Sequence, residues 1–323
     1  MRVIAYEASG PAKKVLKVHE IPDPLPGPGE VRVQIHFSSV NPTDVKRRLT
    51  ESPGLGAFQV PHHDGSGIID RVGQGVSSDR LGQTVWVYHG AHKRALGTAA
   101  DYICIAQDQV IPLPKGISLQ LGALIGIPMM TAAHALQLGR DVNGKNVLVT
   151  GGAGAVGSAA VSMARSAGAH VTATVSTEKK AGIALEAGAH CVLNYQSHDL
   201  AEELKAMGKG LDLVIDVALG SNLPKYTPFL LDRARIVSYS SDGPELMTSV
   251  RPLMFSNACL EFFVVFNLDQ AQLERAVTSV SEFVAIGIWP VLPVREFSLE
   301  NCAAAHEFVE EHGLGRALLK IVN

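Results

Sequence analysis

The sequence predicts an α/β protein in which a doubly wound parallel sheet is joined to a second, β-rich domain. Three observations predict this class. Residues 1–120 carry short alternating runs broken by proline and glycine, residues 123–266 alternate apolar runs with helical segments, and a glycine cluster follows the apolar run 147–149. Strands that alternate with helices predict a parallel sheet with both faces covered. We therefore expect a β-rich domain over 1–122 and 267–323, and a parallel-sheet domain over 123–266.

The glycine cluster predicts a dinucleotide site. Gly152, Gly154 and Gly157 fit the pattern G-x-G-x-x-G between the predicted strand 147–149 and the predicted helix 158–167. Glycines at these positions allow a tight turn and a close approach to a pyrophosphate, whose charge the N–H groups at the helix start can bind. The alternative is a glycine-rich turn without a ligand.

The β-rich domain is predicted from runs in which apolar and polar residues alternate. A short helix over 42–48 interrupts them, with Asn41 as its N-cap and Pro42 at its first position. The predicted strands of this domain are 2–6, 15–20, 31–37, 67–72, 84–88 and 100–105.

The parallel-sheet domain is predicted from βα repeats, and a mixed tail follows it. One or two helices lie over 119–138. Further predicted strands are 171–175, 191–193, 211–217, 235–239 and 260–266, and the helices between them are 178–187, 199–207 and 222–231. The tail is predicted as helix 273–286, strand 291–297, helix 299–311 and strand 317–322. Pro293 predicts that strand 291–297 lies at a sheet edge.

Composition excludes several classes of function. The chain has 323 residues, 46% hydrophobic residues and a net charge of −3, so no basic surface for nucleic acid or anionic membrane is indicated. No stretch approaches the roughly 20 apolar residues that span a bilayer. The N-terminus lacks the apolar core of a signal peptide, and the four cysteines are widely separated without a C-x-x-C. We expect a cytoplasmic protein without disulfides or a cysteine zinc site.

The residues after the strand 171–175 predict which dinucleotide binds. An NAD-specific unit usually ends its second strand with Asp or Glu, which holds the ribose 2′-hydroxyl. Ser176 follows the strand here, and Lys180 comes one helical turn later. An anion would offset the unfavourable interaction of a cation with the N-terminus of a helix. With Tyr195 after the third strand, these residues predict a 2′-phosphate and hence NADPH; the alternative is that the lysine is simply solvated.

Several segments together resemble the zinc-free medium-chain dehydrogenases/reductases, in particular the quinone oxidoreductase (zeta-crystallin-like) family. They are residues 41–44, 61–67, 126–132, the glycine turn, 188–190 and 194–195. The resemblance covers nearly the whole chain. It implies a GroES-like first domain, a Rossmann second domain and a cofactor cleft between them.

The resemblance also implies roles for individual residues. Ala153, Ala155 and Val156 would line the pyrophosphate, and Asn222 would lie on the adenosine side. Thr131 would border the nicotinamide with Asn41 and Asp44. The other residues implied at the nicotinamide end are Ser240, Ser241, Phe263, Val264 and Val265.

The resemblance implies no metal, because Asn41 stands where zinc-containing relatives have a cysteine. Without a Lewis acid, acceptors that need little polarisation are favoured, so we expect hydride transfer from nicotinamide C4 to a quinone. Asn41 and Asp44 would orient the nicotinamide or a water, or would simply cap their helix. Lys46 replaces a tyrosine that many relatives have; it would stabilise a developing anion, or it is solvated.

Two other functions remain open. One is an enone or alkenal reductase that uses the same site. The other is a weakly catalytic NADPH-binding structural or RNA-binding protein. The resemblance further implies a homodimer, paired through the edge of the sixth strand at 260–266.

Overall fold

The computed structural model describes residues 1–53, 57–196, 199–287, 289 and 292–322. Contacts divide the chain into two compact units, the first comprising Met1–Ile127 with Val291–Asn323 and the second Pro128–Pro290. The strands are β1 (Arg2–Ala5), β2 (Lys17–Glu20), β3 (Glu30–Val40), β4 (Asp64–Val72), β5 (Thr84–Val87), β6 (Tyr102–Ala106), β7 (Val110–Pro112), β8 (Asn146–Val149), β9 (His170–Val175), β10 (Cys191–Asn194), β11 (Leu211–Asp216), β12 (Leu230–Ser238), β13 (Cys259–Phe262), β14 (Val294–Ser298) and β15 (Arg316–Lys320). The α-helices are α1 (Ala12–Val15), α2 (Pro42–Thr50), α3 (Leu119–Gly122), α4 (Gly126–Gly139), α5 (Ala155–Ser166), α6 (Glu178–Glu186), α7 (Leu200–Met207), α8 (Leu219–Tyr226), α9 (Val250–Phe255), α10 (Gln270–Ile286) and α11 (Cys302–Glu310).

The first unit is built on a largely antiparallel sheet. Among the described residues its strand order is β14-β15-β3-β4-β5-β7, with β6 also paired to β3, and β1 and β2 form a separate antiparallel pair. The long strand β3 is the centre of this unit, because it pairs with β4, β6 and β15. Its residues Val31, Val33 and Ile35 are fully buried, so the alternation expected of a strand packs one face into the core.

The tail returns to the first unit, as the sequence predicts. Strand β15 pairs antiparallel with β3, and β14 lies at the edge of the sheet in parallel pairing with β15. The edge position predicted from Pro293 is therefore confirmed, although the strand begins at Val294 and residue 291 lies outside the described residues.

The second unit holds a parallel sheet with the strand order β10-β9-β8-β11-β12-β13 among its described residues. Every pairing in it is parallel. The register places Leu148, Val214 and Ile236 side by side on three neighbouring strands, and all three are fully buried. The predicted α/β class with a doubly wound sheet is thus confirmed.

Several predicted bounds differ from the structure. The helix expected over 222–231 is wrong at its end, because α8 stops at Tyr226, a 3₁₀ turn covers Thr227–Phe229, and β12 begins at Leu230. The strand expected over 260–266 is too long, because β13 ends at Phe262 and a 3₁₀ turn covers Val265–Asn267.

The expected return to the first unit at residue 267 also differs from the contact division, which keeps Pro128–Pro290 together. Helix α10 belongs to the second unit, and its Ser279 hydroxyl accepts a hydrogen bond from Gln137 Nε2 of α4 at 3.2 Å. Its residues Ala276, Val280 and Phe283 are buried. Within the described part of the chain, no helix is both long and apolar enough to cross a membrane.

Candidate active site

The first unit holds a buried polar network around Asn41, the N-cap of α2. The Asn41 backbone N–H donates to the Asp44 carboxylate at 2.7 Å, which fixes the first turn of the helix as the sequence predicts. The Asn41 side chain points to a different partner, because its Nδ2 donates to Asp64 Oδ2 at 2.7 Å. Asn41 thus joins the start of α2 to the start of β4.

Asp64 is the acceptor at the centre of this network. Its second carboxylate oxygen, Oδ1, accepts from the backbone N–H of Ile127 in α4 at 2.9 Å. Gly126 allows this approach, since a Cβ there would lie 2.1 Å from Asp64 Oδ1. Burial raises the pKa of Asp64 to about 6, and its hydrogen bonds with the Ile127 N–H and the Asn41 amide act in the opposite direction.

Arg316 completes the network, and the sequence reasoning did not include it. It begins β15, is buried, and donates from one guanidinium nitrogen to Ser39 Oγ at 2.6 Å and Asn41 Oδ1 at 3.1 Å. The attraction between Arg316 and Asp64 favours the charged forms of both. The sequence carries only a weak signal for it, since Arg316 directly precedes the apolar residues 317–319 of the predicted strand.

Asp44 and Lys46 occupy different faces of α2. Asp44 is buried, and its Oδ1 lies 3.8 Å from His63 Nε2. Burial raises the pKa of Asp44 to about 8, with the nearby Asp64 carboxylate acting in the same direction. Lys46, two residues later, is exposed. The structure brings Asn41 and Asp44 together and leaves the Lys46 ammonium on the surface of the helix.

The glycine turn of the second unit lies between β8 and α5, where the pattern predicts it. Gly151 adopts a left-handed φ of 66°, and its N–H donates to Thr174 Oγ1 at 3.2 Å. Gly157 is required by close packing, because a Cβ there would lie 2.2 Å from the Gly151 carbonyl oxygen. The helix begins at Ala155, three residues earlier than expected, so Ala155, Val156 and Gly157 form its first turn.

This turn suits a pyrophosphate. The N-cap of α5 is Gly154, which is exposed and contributes no side-chain acceptor to the first N–H groups of the helix. Ala153, just before it, is buried. The structure therefore fits the predicted role of residues 152–157 in holding a diphosphate.

The residues predicted to bind a 2′-phosphate converge at the carboxyl ends of β9 and β10. Lys180 Nζ lies 3.0 Å from Ser176 Oγ, and the Thr177 side chain caps α6 by accepting from the Lys180 N–H at 3.3 Å. Asn194 pairs in register with Val175, and the Tyr195 N–H donates to the Val175 carbonyl at 3.1 Å. Tyr195 is 44% exposed, so an ammonium, a hydroxyl and an exposed phenol share one edge of the sheet.

Asn222 has a structural partner inside the second unit. Its Nδ2 donates to Asp216 Oδ1 at 2.9 Å, and the same oxygen accepts from Thr150 Oγ1 at 2.8 Å. The Thr150 hydroxyl in turn accepts from the Val217 N–H at 2.9 Å. Sequence reasoning missed Asp216 and Thr150, whose hydrogen bonds connect the ends of β8 and β11, and Thr150 directly precedes Gly151 of the glycine turn.

A cavity of about 910 Å³ opens at the carboxyl ends of β12 and β13. It brings together four of the predicted cofactor residues, Ser240, Ser241, Phe263 and Val264. His134 of α4 also lines it, with its ring edge-to-face against Phe263 at a centroid distance of 4.8 Å. Two other predicted residues, Thr131 in α4 and Val265 in a 3₁₀ turn, are buried and do not line this cavity.

Comparison with known proteins gives two family matches. Residues 27–115 match the alcohol dehydrogenase GroES-like domain, and residues 155–282 match the domain described as zinc-binding dehydrogenase. A β-rich unit of the first kind joined to a parallel-sheet unit of the second kind defines a medium-chain dehydrogenase/reductase.

The relatives narrow the class. The quinone oxidoreductase of Mus musculus is 31% identical, over 98% of this chain and 96% of that protein, and that of Sus scrofa is 30% identical, over 94% and 91%. The chain belongs to the quinone oxidoreductase family of these reductases, and it is an oxidoreductase.

Solved structures agree on the fold. The Escherichia coli quinone oxidoreductase, solved in complex with NADPH, superposes with a TM-score of 0.86 at 25% identity, over 99% of this chain and all of that one. A protein described as an NAD-dependent alcohol dehydrogenase superposes with a TM-score of 0.88 at 27% identity, over the full length of both chains. These two proteins differ in the dinucleotide named for them.

Proposed function

We propose that this protein is an NADPH-dependent quinone reductase. The observation that carries the choice of cofactor is the Ser176–Lys180 contact of 3.0 Å beside Tyr195, at strand ends where an NAD-specific protein usually has a carboxylate. The quinone oxidoreductase relatives and the NADPH complex of the Escherichia coli protein support the proposal.

The residues of the second unit bind and orient the dinucleotide in this proposal. The first N–H groups of α5, preceded by the exposed Gly154, hold the pyrophosphate. Lys180 and Ser176 hold the 2′-phosphate through a charge-assisted contact. Ser240, Ser241 and Phe263 line the cavity beyond β12 and β13 and form the nicotinamide end.

NADPH supplies a hydride from C4 of its nicotinamide. A quinone is an acceptor that needs positioning more than activation, so the contribution of the protein is geometry and electrostatics. In the first unit, Asn41 is held between Arg316 and Asp64, and we assign it, with Asp44, a positioning role. The exposed Lys46 is the cation that would stabilise negative charge on the reduced oxygen.

The substrate class can be tested by NADPH consumption with 1,2-naphthoquinone and with a 2-alkenal. We expect the quinone to have the higher kcat/KM. Lys46→Ala should lower the kcat/KM for the quinone about tenfold, less than the loss of a fully enclosed oxyanion donor, because the ammonium is exposed.

The control is Lys14→Ala, which removes another exposed lysine of the first unit and should change nothing. Faster turnover of the alkenal would favour an enone or alkenal reductase instead. The absence of turnover with every acceptor, together with tight NADPH binding, would favour a structural or RNA-binding role.

We also propose a homodimer formed through the edge strand β13. Among the described residues, β13 pairs only with β12 and is the edge strand of the sheet. Its Phe262 is 65% exposed. Large apolar side chains cluster near it in the sequence and are exposed by half or more: Met247, Val250, Met254, Phe255 and Val264. An open apolar edge of this kind favours pairing with a second copy of the sheet.

Phe262→Glu should convert the dimer into a monomer, since it places a charge on the proposed contact. The measurement is the molar mass by light scattering. Leu25→Glu is the matched control, because Leu25 is 72% exposed in the first unit, and this variant should remain dimeric. A wild-type mass of one chain would contradict the proposal.

The proposed location is the cytoplasm. All four cysteines are free thiols, which suits a reducing compartment.

A further inference from the structure

A second cluster of reactive side chains lies in the first unit, and the proposed reaction does not use it. His62, Cys302 and His306 are all at most 1% exposed, and their ligand atoms lie within 4.8 Å of one another. His62 Nε2 is 2.9 Å from His306 Nε2 and 3.9 Å from Cys302 Sγ. Cys302 and His306 are four residues apart on α11, so consecutive turns of that helix present them on one face.

The hydrogen bonds around His62 determine which of its nitrogens carries the proton. Thr98 Oγ1 donates to the Asp64 carbonyl at 2.7 Å, so the proton between Thr98 and Ser38, whose oxygens are 2.8 Å apart, comes from Ser38. The Ser38 oxygen must then accept from His62 Nδ1–H at 2.8 Å. His62 Nε2 therefore carries no proton, and its lone pair accepts a hydrogen bond from His306 Nε2–H.

The hydrogen bonding of His62 is the kind that metal-binding histidines require. Such a histidine uses one ring nitrogen as ligand and donates the N–H of the other to a supporting acceptor, which fixes the ring. Ser38 supplies that acceptor for His62. His62 also adopts a left-handed φ of 77°, which is uncommon for a residue with a side chain and is typical of positions held by their surroundings.

The distances suit a three-coordinate ion. With bonds of about 2.0–2.1 Å to nitrogen and about 2.3 Å to sulfur, planar coordination separates sulfur from nitrogen by about 3.8 Å and the two nitrogens by about 3.6 Å. The distance from Cys302 Sγ to His62 Nε2, 3.9 Å, already fits, and all three ligand atoms lie within 4.8 Å of one another. The two imidazoles, now 2.9 Å apart through a direct hydrogen bond, would separate by roughly half an ångström or slightly more.

We propose that His62, Cys302 and His306 bind one thiophilic metal ion, and that this ion is Cu(I). On binding, the Cys302 thiol releases its proton to solvent, and the His306 proton moves from Nε2 to Nδ1. That nitrogen is buried and has no acceptor among the described residues, so the move has a free-energy cost that the metal–ligand bonds must exceed. Thiolate and imidazole are ligands that Cu(I) prefers. The site is structural, because donors this deeply buried cannot meet a substrate.

Charge and coordination number select Cu(I) over Zn(II). A thiolate and Cu(I) together are neutral, which suits a dry interior, whereas Zn(II) would leave a net positive charge. The neighbouring Arg48 is itself a cation, held by Glu310 and the Gly10 carbonyl, so it would add to that positive charge and not offset it. Zn(II) also favours a fourth ligand, and the described part of the cluster supplies three.

The test is a titration of the purified protein with Cu(I) under anaerobic conditions against a chromophoric Cu(I) chelator, with a parallel titration with Zn(II). We expect one equivalent of Cu(I) per chain and weaker uptake of Zn(II). X-ray absorption of the loaded wild-type protein should show one sulfur and two nitrogen neighbours. The absence of Cu(I) uptake, a shell without sulfur, or preferential binding of Zn(II) would each overturn the proposal.

Three variants with one control localise the ion. Cys302→Ser and His306→Gln each remove a ligand and should lower the Cu(I) affinity by more than about 100-fold, whereas Ser38→Ala removes only the support of His62 and should lower it roughly 10- to 100-fold. Cys191→Ser changes a half-buried cysteine of the other unit and should bind as the wild type does. Unchanged binding by Cys302→Ser would place the ion elsewhere, and the absorption measurement on the wild type decides the matter should a variant fail to fold.

Discussion

Asp64→Ala should lower the free energy of unfolding by about 3–5 kcal/mol, the cost of leaving a buried charge without its partner. The change removes the carboxylate whose charge favours the charged form of the buried Arg316. It also removes the acceptor of Asn41 Nδ2 and of the Ile127 N–H, whose hydrogen bonds with Asp64 measure 2.7 and 2.9 Å. Denaturant unfolding of the purified variant measures the effect.

Two controls separate the buried charge from other causes. Glu51→Ala breaks the exposed pair with Arg47 in the same unit and should cost less than about 1 kcal/mol. The double variant Asp64→Asn with Arg316→Met removes both charges and should be less destabilised than the sum of its two single variants. Strict additivity in this cycle would show that Arg316 and Asp64 are not coupled.

The sequence correctly predicts the parts of the fold that depend on local residue patterns. The glycine turn, the Pro42 start of α2 and the βα alternation each depend on neighbouring residues, and the structure has all three. The errors lie where a local pattern is ambiguous. The apolar run at 260–266 continues past the sheet, but the chain turns after Phe262, and nothing in an apolar run marks that point.

The end of α8 is a second boundary that the local sequence does not predict. Residues 227–231 have no strand alternation, yet Leu230 begins β12 because that stretch lies beside β11, with Leu230 in register with Leu211. Pairing with a neighbouring strand overrides the weak preference of the segment itself.

The same distinction between local and distant residues applies to the candidate site. Ser176, Lys180 and Tyr195 could be placed together from the sequence, because parallel strands bring their carboxyl ends to one edge of the sheet. Arg316 could not, since it meets Asn41 from 275 residues away through the pairing of β15 with β3. The approach of Cys302 and His306 to His62 is equally distant in sequence and depends on how α11 packs.

The proposed preference for NADPH predicts a large effect of one substitution on cofactor binding. Lys180→Ala should weaken NADPH binding about 10- to 100-fold, the equivalent of one charge-assisted hydrogen bond of about 1.5–3 kcal/mol. NADH binding should change little, because NADH lacks the phosphate that the Lys180–Ser176 pair is expected to hold. Fluorescence titration of both dinucleotides measures the two dissociation constants.

Lys179→Ala is the matched control, since it removes an exposed lysine of the same first turn of α6 without touching the contact with Ser176. The loss of NADPH affinity should therefore be several times larger for Lys180→Ala than for Lys179→Ala, which shows the effect of removing a surface charge alone. Higher salt should narrow the difference, because the ammonium attracts the phosphate through water. Equal losses for NADPH and NADH in Lys180→Ala would instead mean that this lysine supports the fold of the β9–α6 turn, and the proposed preference for NADPH would lose the residue on which it depends most.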